Sequence, residues 1–171
     1  MNIRISILAL IEIISALSIG LIMLSLTYTI LKRLGQKYYD IQHGNLAFSI
    51  FIASILFSVG FMMSSVIQPI LSSFRVLTAT APSEFLLILS FLGYGALYVG
   101  IAYTSTIIIS ILGIYIYRHL TPIDELDEIK NNNVGVAIVV SVIIIVLVMM
   151  SKSGITLFIE SIIPYPEIPP S

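Results

Sequence analysis

Cysteine is absent from this sequence. That absence excludes disulfides, iron–sulfur ligation, thiolate zinc sites and thiol catalysis together. Charge is scarce too: 10% of residues are Asp, Glu, Lys or Arg, 58% are hydrophobic, and the net charge is −1. A water-soluble domain needs far more charge to cover its surface. A near-neutral chain also has no basic field to recruit nucleic acid, so no nucleic-acid partner is expected. Histidine occurs only as His43 and His119. Neither sits in a haem-binding pattern, and His119 follows Arg118 at an expected helix end, where a cation suits the helix dipole. No nucleophile–base pair, Gly-rich phosphate loop or His-Glu-x-x-His motif is present. The chain is therefore expected to be non-enzymatic, with no cofactor and no metal.

What the sequence does have is long apolar runs, which put it in a lipid bilayer. Four of them reach the length of about 20 residues that a helix needs to cross the hydrocarbon core. They cover residues 5–31, 46–71 (closed by Pro69), 85–117 and 134–150. Lys152 and Gly154 mark the expected end of the last, with 155–163 either continuing it or lying in the interface. Continuous runs of this kind are not the alternating strands of a membrane barrel. The first run could pass for a signal peptide, but it contains Glu12 and lacks a clean small-residue cleavage site. It also exceeds the roughly 7–15 residues of a signal h-region, so a retained anchor is the better reading. The expected fold is all-α and integral to the membrane, one four-helix domain over 1–163 followed by a Pro-rich tail, 164–171, of polyproline type.

Orientation follows from Lys and Arg near the spans. Lys32, Arg33, Lys37, Arg118 and Lys130 lie on one side, and Arg4, Arg75 and Lys152 on the other. Five against three favours both termini outside and the two polar loops in the cytoplasm.

An internal repeat is visible around those loops. Asp40-Ile41-Gln42-His43-Gly44-Asn45-Leu46-Ala47 aligns with Glu128-Ile129-Lys130-Asn131-Asn132-Asn133-Val134-Gly135. Each segment runs from an acid through Ile to an Asn, then into a span. Two tandem helical hairpins of the same orientation are expected, over about 5–71 and 85–158. Their pseudo-symmetry axis would lie along the membrane normal, unlike the inverted repeats of many transporters. Asn45 and Asn133 occupy N-cap positions, and Asp40 and Glu128 lie just before, where the dipole favours an anion. A well-capped helix at the membrane surface explains this pattern more simply than a ligand site.

The run Thr121-Pro122-Ile123-Asp124-Glu125-Leu126-Asp127-Glu128-Ile129-Lys130-Asn131-Asn132-Asn133 resembles the loop of the domain-of-unknown-function 350 proteins. These are small four-helix prokaryotic membrane proteins with a duplicated hairpin. The resemblance extends from Lys32 to Met150, although the Val- and Ile-rich last helix departs from a family pattern richer in Gly and Ala. It implies fold, topology and a prokaryotic plasma membrane, and no biochemical activity.

Among single residues Glu12 stands out. A carboxylate inside a span costs about 2.5–3.5 kcal/mol on insertion scales, which asks for a reason. Helical spacing continues it into Ser15, Ser18, Ser25 and Thr29. A proton, ion or partner contact is one reading, and a protonated Glu12 bonded inside the bundle or snorkelling to the interface is the plainer one. Small residues form stripes on the second span (Ala47, Ser54, Ser58, Ser65) and on the third (Gly93, Ala96, Gly100, Ser110), the usual adhesive between helices in lipid. The acidic cluster Asp124, Glu125, Asp127 and Glu128 lacks the order of a calcium loop and reads as solvated loop surface.

Three functions fit. The leading one is a structural or accessory subunit, packed with other membrane subunits (a respiratory complex being one setting) or with copies of itself. The second is an oligomeric conduit for protons, cations or a small solute that uses Glu12. The third is a sensor of membrane state that signals through its two polar loops.

Overall fold

The computed structural model describes residues 3–38, 44–80, 82–120 and 124–163. Asp40, His43, the tail 164–171 and the side chain of Glu12 lie outside the described residues. In order the elements are α1 (Ile3–Tyr38), α2 (Leu46–Met63), α3 (Ile67–Thr80), α4 (Glu84–Leu120), α5 (Glu125–Lys130) and α6 (Val134–Glu160), with no strand among the described residues. Four stretches are long and apolar enough to cross a membrane: Ile13–Lys37, Leu46–Ala79, Glu84–His119 and Val134–Glu160. The protein is a multi-pass, all-helical membrane protein.

The helices overrun the apolar runs for physical reasons. α1 continues past Leu31 through Lys32, Arg33, Gln36 and Lys37, straight-chain residues that lose little freedom in a helix. Lys37 also lies in the last turn, where a cation complements the dipole.

Pro69 does not close the second span as the sequence suggested. The helix breaks earlier, at Ser64–Val66, and Pro69 sits in the first turn of α3. A proline there gives up an N–H that would have no partner anyway. The interruption therefore falls upstream, around the carbonyls a continuous helix would have bonded. Ser65 N–H and Val66 N–H reach back three residues to Met62 and Met63 carbonyls (3.0 and 3.1 Å), and the Ser64 and Ser65 hydroxyls bond Phe61 and Met62 carbonyls, each at 2.7 Å.

Lys152 and Gly154 likewise do not end α6, which runs on to Glu160. The Lys152 ammonium turns to the end of α2, 3.1 Å from Ser64 Oγ and 4.1 Å from the centre of the Phe61 ring. Such a cation finds partners without unwinding its own helix.

α2 lies at the centre, packed against α1, α4 and α6, with α6 its principal neighbour. Ala47, Val59 and Met62 of α2 and Ala137, Ile144 and Val148 of α6 are fully enclosed. The two helices run parallel. Ala47 meets Asn132, Ile50 meets Ser141, and Ser64 meets Lys152, pairs separated in sequence by 85, 91 and 88 residues. α1 closes on α2 at Gly35, where any side chain would overlap the Phe48 ring. Higher up it keeps a looser contact, with Met23 and Thr27 its buried residues toward the core.

Candidate functional site

The polar segments that begin α2 and α6 meet at one end of the bundle. Gly44 and Asn132 both have positive φ, +88° and +64°, and each precedes an Asn that caps the next helix. Glycine adopts that backbone freely, and Asn is among the few other residues that tolerate it. Asn45 Oδ1 accepts from Phe48 N–H at 2.7 Å, and Asn133 Oδ1 from Val136 N–H at 3.3 Å.

The two caps then diverge. The Asn45 amide donates to the Ile129 and Lys130 carbonyls of α5, each at 2.9 Å. Asn132 Oδ1 returns across the same gap to accept from Ala47 N–H at 3.0 Å. Each segment thus satisfies a free backbone group of the other, the Lys130 carbonyl in one direction and the Ala47 N–H in the other, while the Ile129 carbonyl, which already accepts from Asn132 N–H, gains a second donor. The Asn133 amide stays local, donating to Glu128 Oε2 at 2.7 Å. Asn131 is the C-cap of α5, bonding Asp127 and Ile129 carbonyls through its backbone N–H, with its side chain exposed.

The acidic cluster is not a uniformly solvated loop. Asp124 caps the short helix α5 by accepting from Leu126 N–H at 3.2 Å, and it pairs with Arg118 at 2.7 Å. Glu125 and Ile129, one helical turn apart, are each only 1% exposed and face α2 and α6. Asp127 alone points to solvent. No group of His, Cys, Asp and Glu that could hold a metal ion occurs among the described residues.

The other sequence candidates lie elsewhere. Ser54 and Ser58 are buried in α2, where Ser54 Oγ bonds the Phe51 carbonyl at 2.8 Å. On α1 Ser15 is half-buried and Ser18 is exposed, away from the core. The backbone places Glu12 about 30 Å from Lys32 along one unbroken helix, and the hydrocarbon core is itself about 30 Å thick. On α4 the expected stripe divides: Ser110 is buried with Ala102 and Thr106, while Gly93, Ala96 and Gly100 are exposed.

Sequence reasoning missed the buried polar contacts of the long helices. Tyr98 is fully enclosed on α4, with its hydroxyl 2.8 Å from Ser73 Oγ of α3. Thr27 of α1 bonds its own Met23 carbonyl at 2.7 Å and reaches the Tyr103 hydroxyl at 3.4 Å. Nothing in the linear order pairs residues 25 or 76 positions apart. Glu125 did leave a signal, because its four-residue spacing to Ile129 puts both on one helical face.

Two cavities also lie between α1 and α2. One, of 320 Å³, is lined by Tyr28, Lys32, Gln36 and Gly44 together with Asn45, Phe48, Ser49, Ile52, Ala53 and Leu56. The other, of 470 Å³, is lined by Leu24, Leu56, Phe57, Gly60, Phe61 and Ser64.

Compared with known proteins, residues 5–155 match the family model described as Domain of Unknown Function (DUF350). No curated protein and no solved structure matches.

Proposed function

The chain belongs to the family of Domain of Unknown Function (DUF350), and from there we propose that it is a non-enzymatic subunit that works packed against other membrane subunits or copies of itself. The exposed face of α4 carries this reading. Gly93, Ala96 and Gly100 share that face, and a side chain added at either glycine would meet no atom within 4 Å. Small residues in lipid-embedded helices favour close backbone approach. Here none of the described helices makes that approach, which leaves it to a helix from another chain. The Lys and Arg distribution supports an orientation with the polar loops in the cytoplasm and both termini outside.

The test is purification of the native chain in gentle detergent, with mass spectrometry of what travels with it. A defined set of partner subunits, or a homo-oligomer of fixed size, supports the reading. A stable monomer that carries no protein partner sinks it.

A conduit is the second reading, favoured by the outward Ser18 and Ser25 on α1. Those hydroxyls could line a path only between chains, so this reading also requires an oligomer. In reconstituted vesicles Glu12→Gln should then change proton or cation flux, and an unchanged flux dismisses it.

A further inference from the structure

The cleft between α1 and α2 changes character along its length. Toward the loop end Tyr28, Lys32 and Gln36 present a phenol, an ammonium and a carboxamide at four-residue intervals on one face of α1. Across from them the polar atoms of α2 are engaged elsewhere. Ser49 donates to the Asn45 carbonyl at 2.9 Å, and the Asn45 side chain is committed to Phe48, Ile129 and Lys130. Lys32 lies over the Tyr28 ring, with Nζ 5.8 Å from its centre, and no carboxylate lines the cavity among the described residues. This end therefore offers donors and one positive charge.

Farther along, the walls become Ile52, Ala53 and Leu56. Leu56 also belongs to the second cavity, whose other walls are mainly Leu24, Phe57, Gly60 and Phe61. A cationic, donor-rich end thus lies at the end of the apolar run, and beyond Leu56 an open apolar groove follows the helices. An amphiphile with an anionic head has the same order of chemistry. Partly exposed lysines at that depth attract anionic headgroups, while apolar walls inside the span accept hydrocarbon.

We propose that the α1–α2 cleft binds one anionic phospholipid, its phosphate at Lys32 and Gln36 and an acyl chain over Ala53 and Leu56. The phosphate accepts from the Lys32 ammonium and the Gln36 amide. The chain fills a groove that the neighbouring helices leave open, and so supports α1, the span most loosely held by the rest of the fold.

The experiment uses the full chain in gentle detergent with equal amounts of phosphatidylglycerol and phosphatidylcholine of identical acyl chains, read by native mass spectrometry. One retained phosphatidylglycerol is expected, favoured about fivefold over phosphatidylcholine, the typical effect of one basic residue at an anionic surface. Lys32→Gln should bring the ratio close to one, and Lys32→Arg should keep it. Arg33→Gln removes a neighbouring cation that does not line the cleft and should leave the ratio unchanged. Ala53→Leu should lower retention of both lipids and preserve the ratio. Equal retention of the two lipids by the native sequence overturns the proposal. So does an Arg33→Gln effect as large as that of Lys32→Gln, which would indicate diffuse surface attraction. Displacement of the bound lipid by inorganic phosphate at matched concentration would assign the donors to free phosphate and also overturn it.

Discussion

α2 and α6 form the inside of this bundle, and α1 and α4 its outside, although all four spans are apolar enough to cross a membrane. Half of the most apolar window of the α2–α3 span and 28% of that of α6 are buried, against 11% for each of α1 and α4. In water, apolar surface drives burial, and the most apolar helix goes inside. In lipid, hydrocarbon surrounds every helix and that force vanishes between helices, leaving close packing and interhelical hydrogen bonds to decide. The inner pair has both. Ala47 and Ser54 of α2 and Ala137 and Ser141 of α6 are buried, and Ser141 donates to the Ile50 carbonyl at 3.4 Å. α4 has two such faces: Ala102, Thr106 and Ser110 turned inward, and Gly93, Ala96 and Gly100 turned out. Small residues therefore mark where helices meet, and the outward face of α4 is the place where the comparison between inside and outside is incomplete.

The contrast is broken most severely by filling the closest contact. Ala137 is fully enclosed, while Val142 on the same helix is 53% exposed. Ala137→Phe should destabilise by about 1–3 kcal/mol through overpacking, and Val142→Phe should change stability by less than about 0.5 kcal/mol. Both are read as shifts in the unfolding midpoint in detergent. Equal shifts would mean that α2 and α6 are not the inner pair.

A second comparison lies within the polar end. Asn45 and Asn133 are both helix caps, but Asn45 also holds two carbonyls of α5 while Asn133 bonds only Glu128 beyond its own helix. Loss of a cap costs about 1 kcal/mol, and the Lys130 carbonyl stripped of its donor adds about 1 kcal/mol more. Asn45→Ala should therefore lower stability by about 2 kcal/mol and Asn133→Ala by about 1 kcal/mol. Hydrogen exchange should separate them further. Asn45→Ala loosens α5 and the start of α2 together, whereas Asn133→Ala frays only the start of α6. Identical exchange patterns would show that the interlock contributes nothing beyond capping.

Much of this was legible in the sequence, because a bilayer imposes a length and the backbone imposes caps. The apolar runs located all four spans, since no other signal of that length competes with them. Asn45 and Asn133 were placed at helix starts because a free N–H needs an acceptor there and Asn supplies one. What stayed hidden was tertiary. Asn132 gave no sign that it would serve a helix 85 residues away, because its positive φ and its aim depend on how α5 packs. The Pro69 signal was real but displaced, since proline disrupts bonds upstream of itself and is comfortable in a first turn. The acidic run concealed a turn of helix, and charge density alone did not show that Glu125 turns inward while Asp127 stays in solvent. Gly93, Ala96 and Gly100 were recognisable as a small-residue face, but none of the described helices packs against it.

Tyr98 gives a smaller effect, and it tests how α3 is tied to the bundle. Its hydroxyl pairs with Ser73 in a site closed to solvent. Tyr98→Phe leaves Ser73 without that contact and should lower the unfolding midpoint by the equivalent of about 1 kcal/mol. A double change with Ser73→Ala should cost little more than either alone, because the two lose the same bond. Fully additive losses would mean that the pair does not act as a unit.

The smallest effect bears most directly on the outward face of α4, because there a sign is at stake. Gly100 and Gly154 both sit inside long helices, both are exposed, and an added methyl would meet no atom of the chain at either. Alanine loses less backbone freedom than glycine in a helix, by about 0.5–1 kcal/mol. Gly154→Ala should therefore stabilise the chain slightly in every preparation. Gly100→Ala should do the same for the isolated chain, because nothing within it stands in the way. In the native assembly a partner helix resting on Gly93, Ala96 and Gly100 would meet the new methyl, and the gain should turn into a loss. The readout is the unfolding midpoint of each variant before and after the assembly is dispersed in harsher detergent. A sign that reverses for Gly100→Ala and not for Gly154→Ala places the partner on this face of α4. A stabilisation by both in both states leaves the face to lipid, and α4 is then an outer helix in the assembly as well as in the chain.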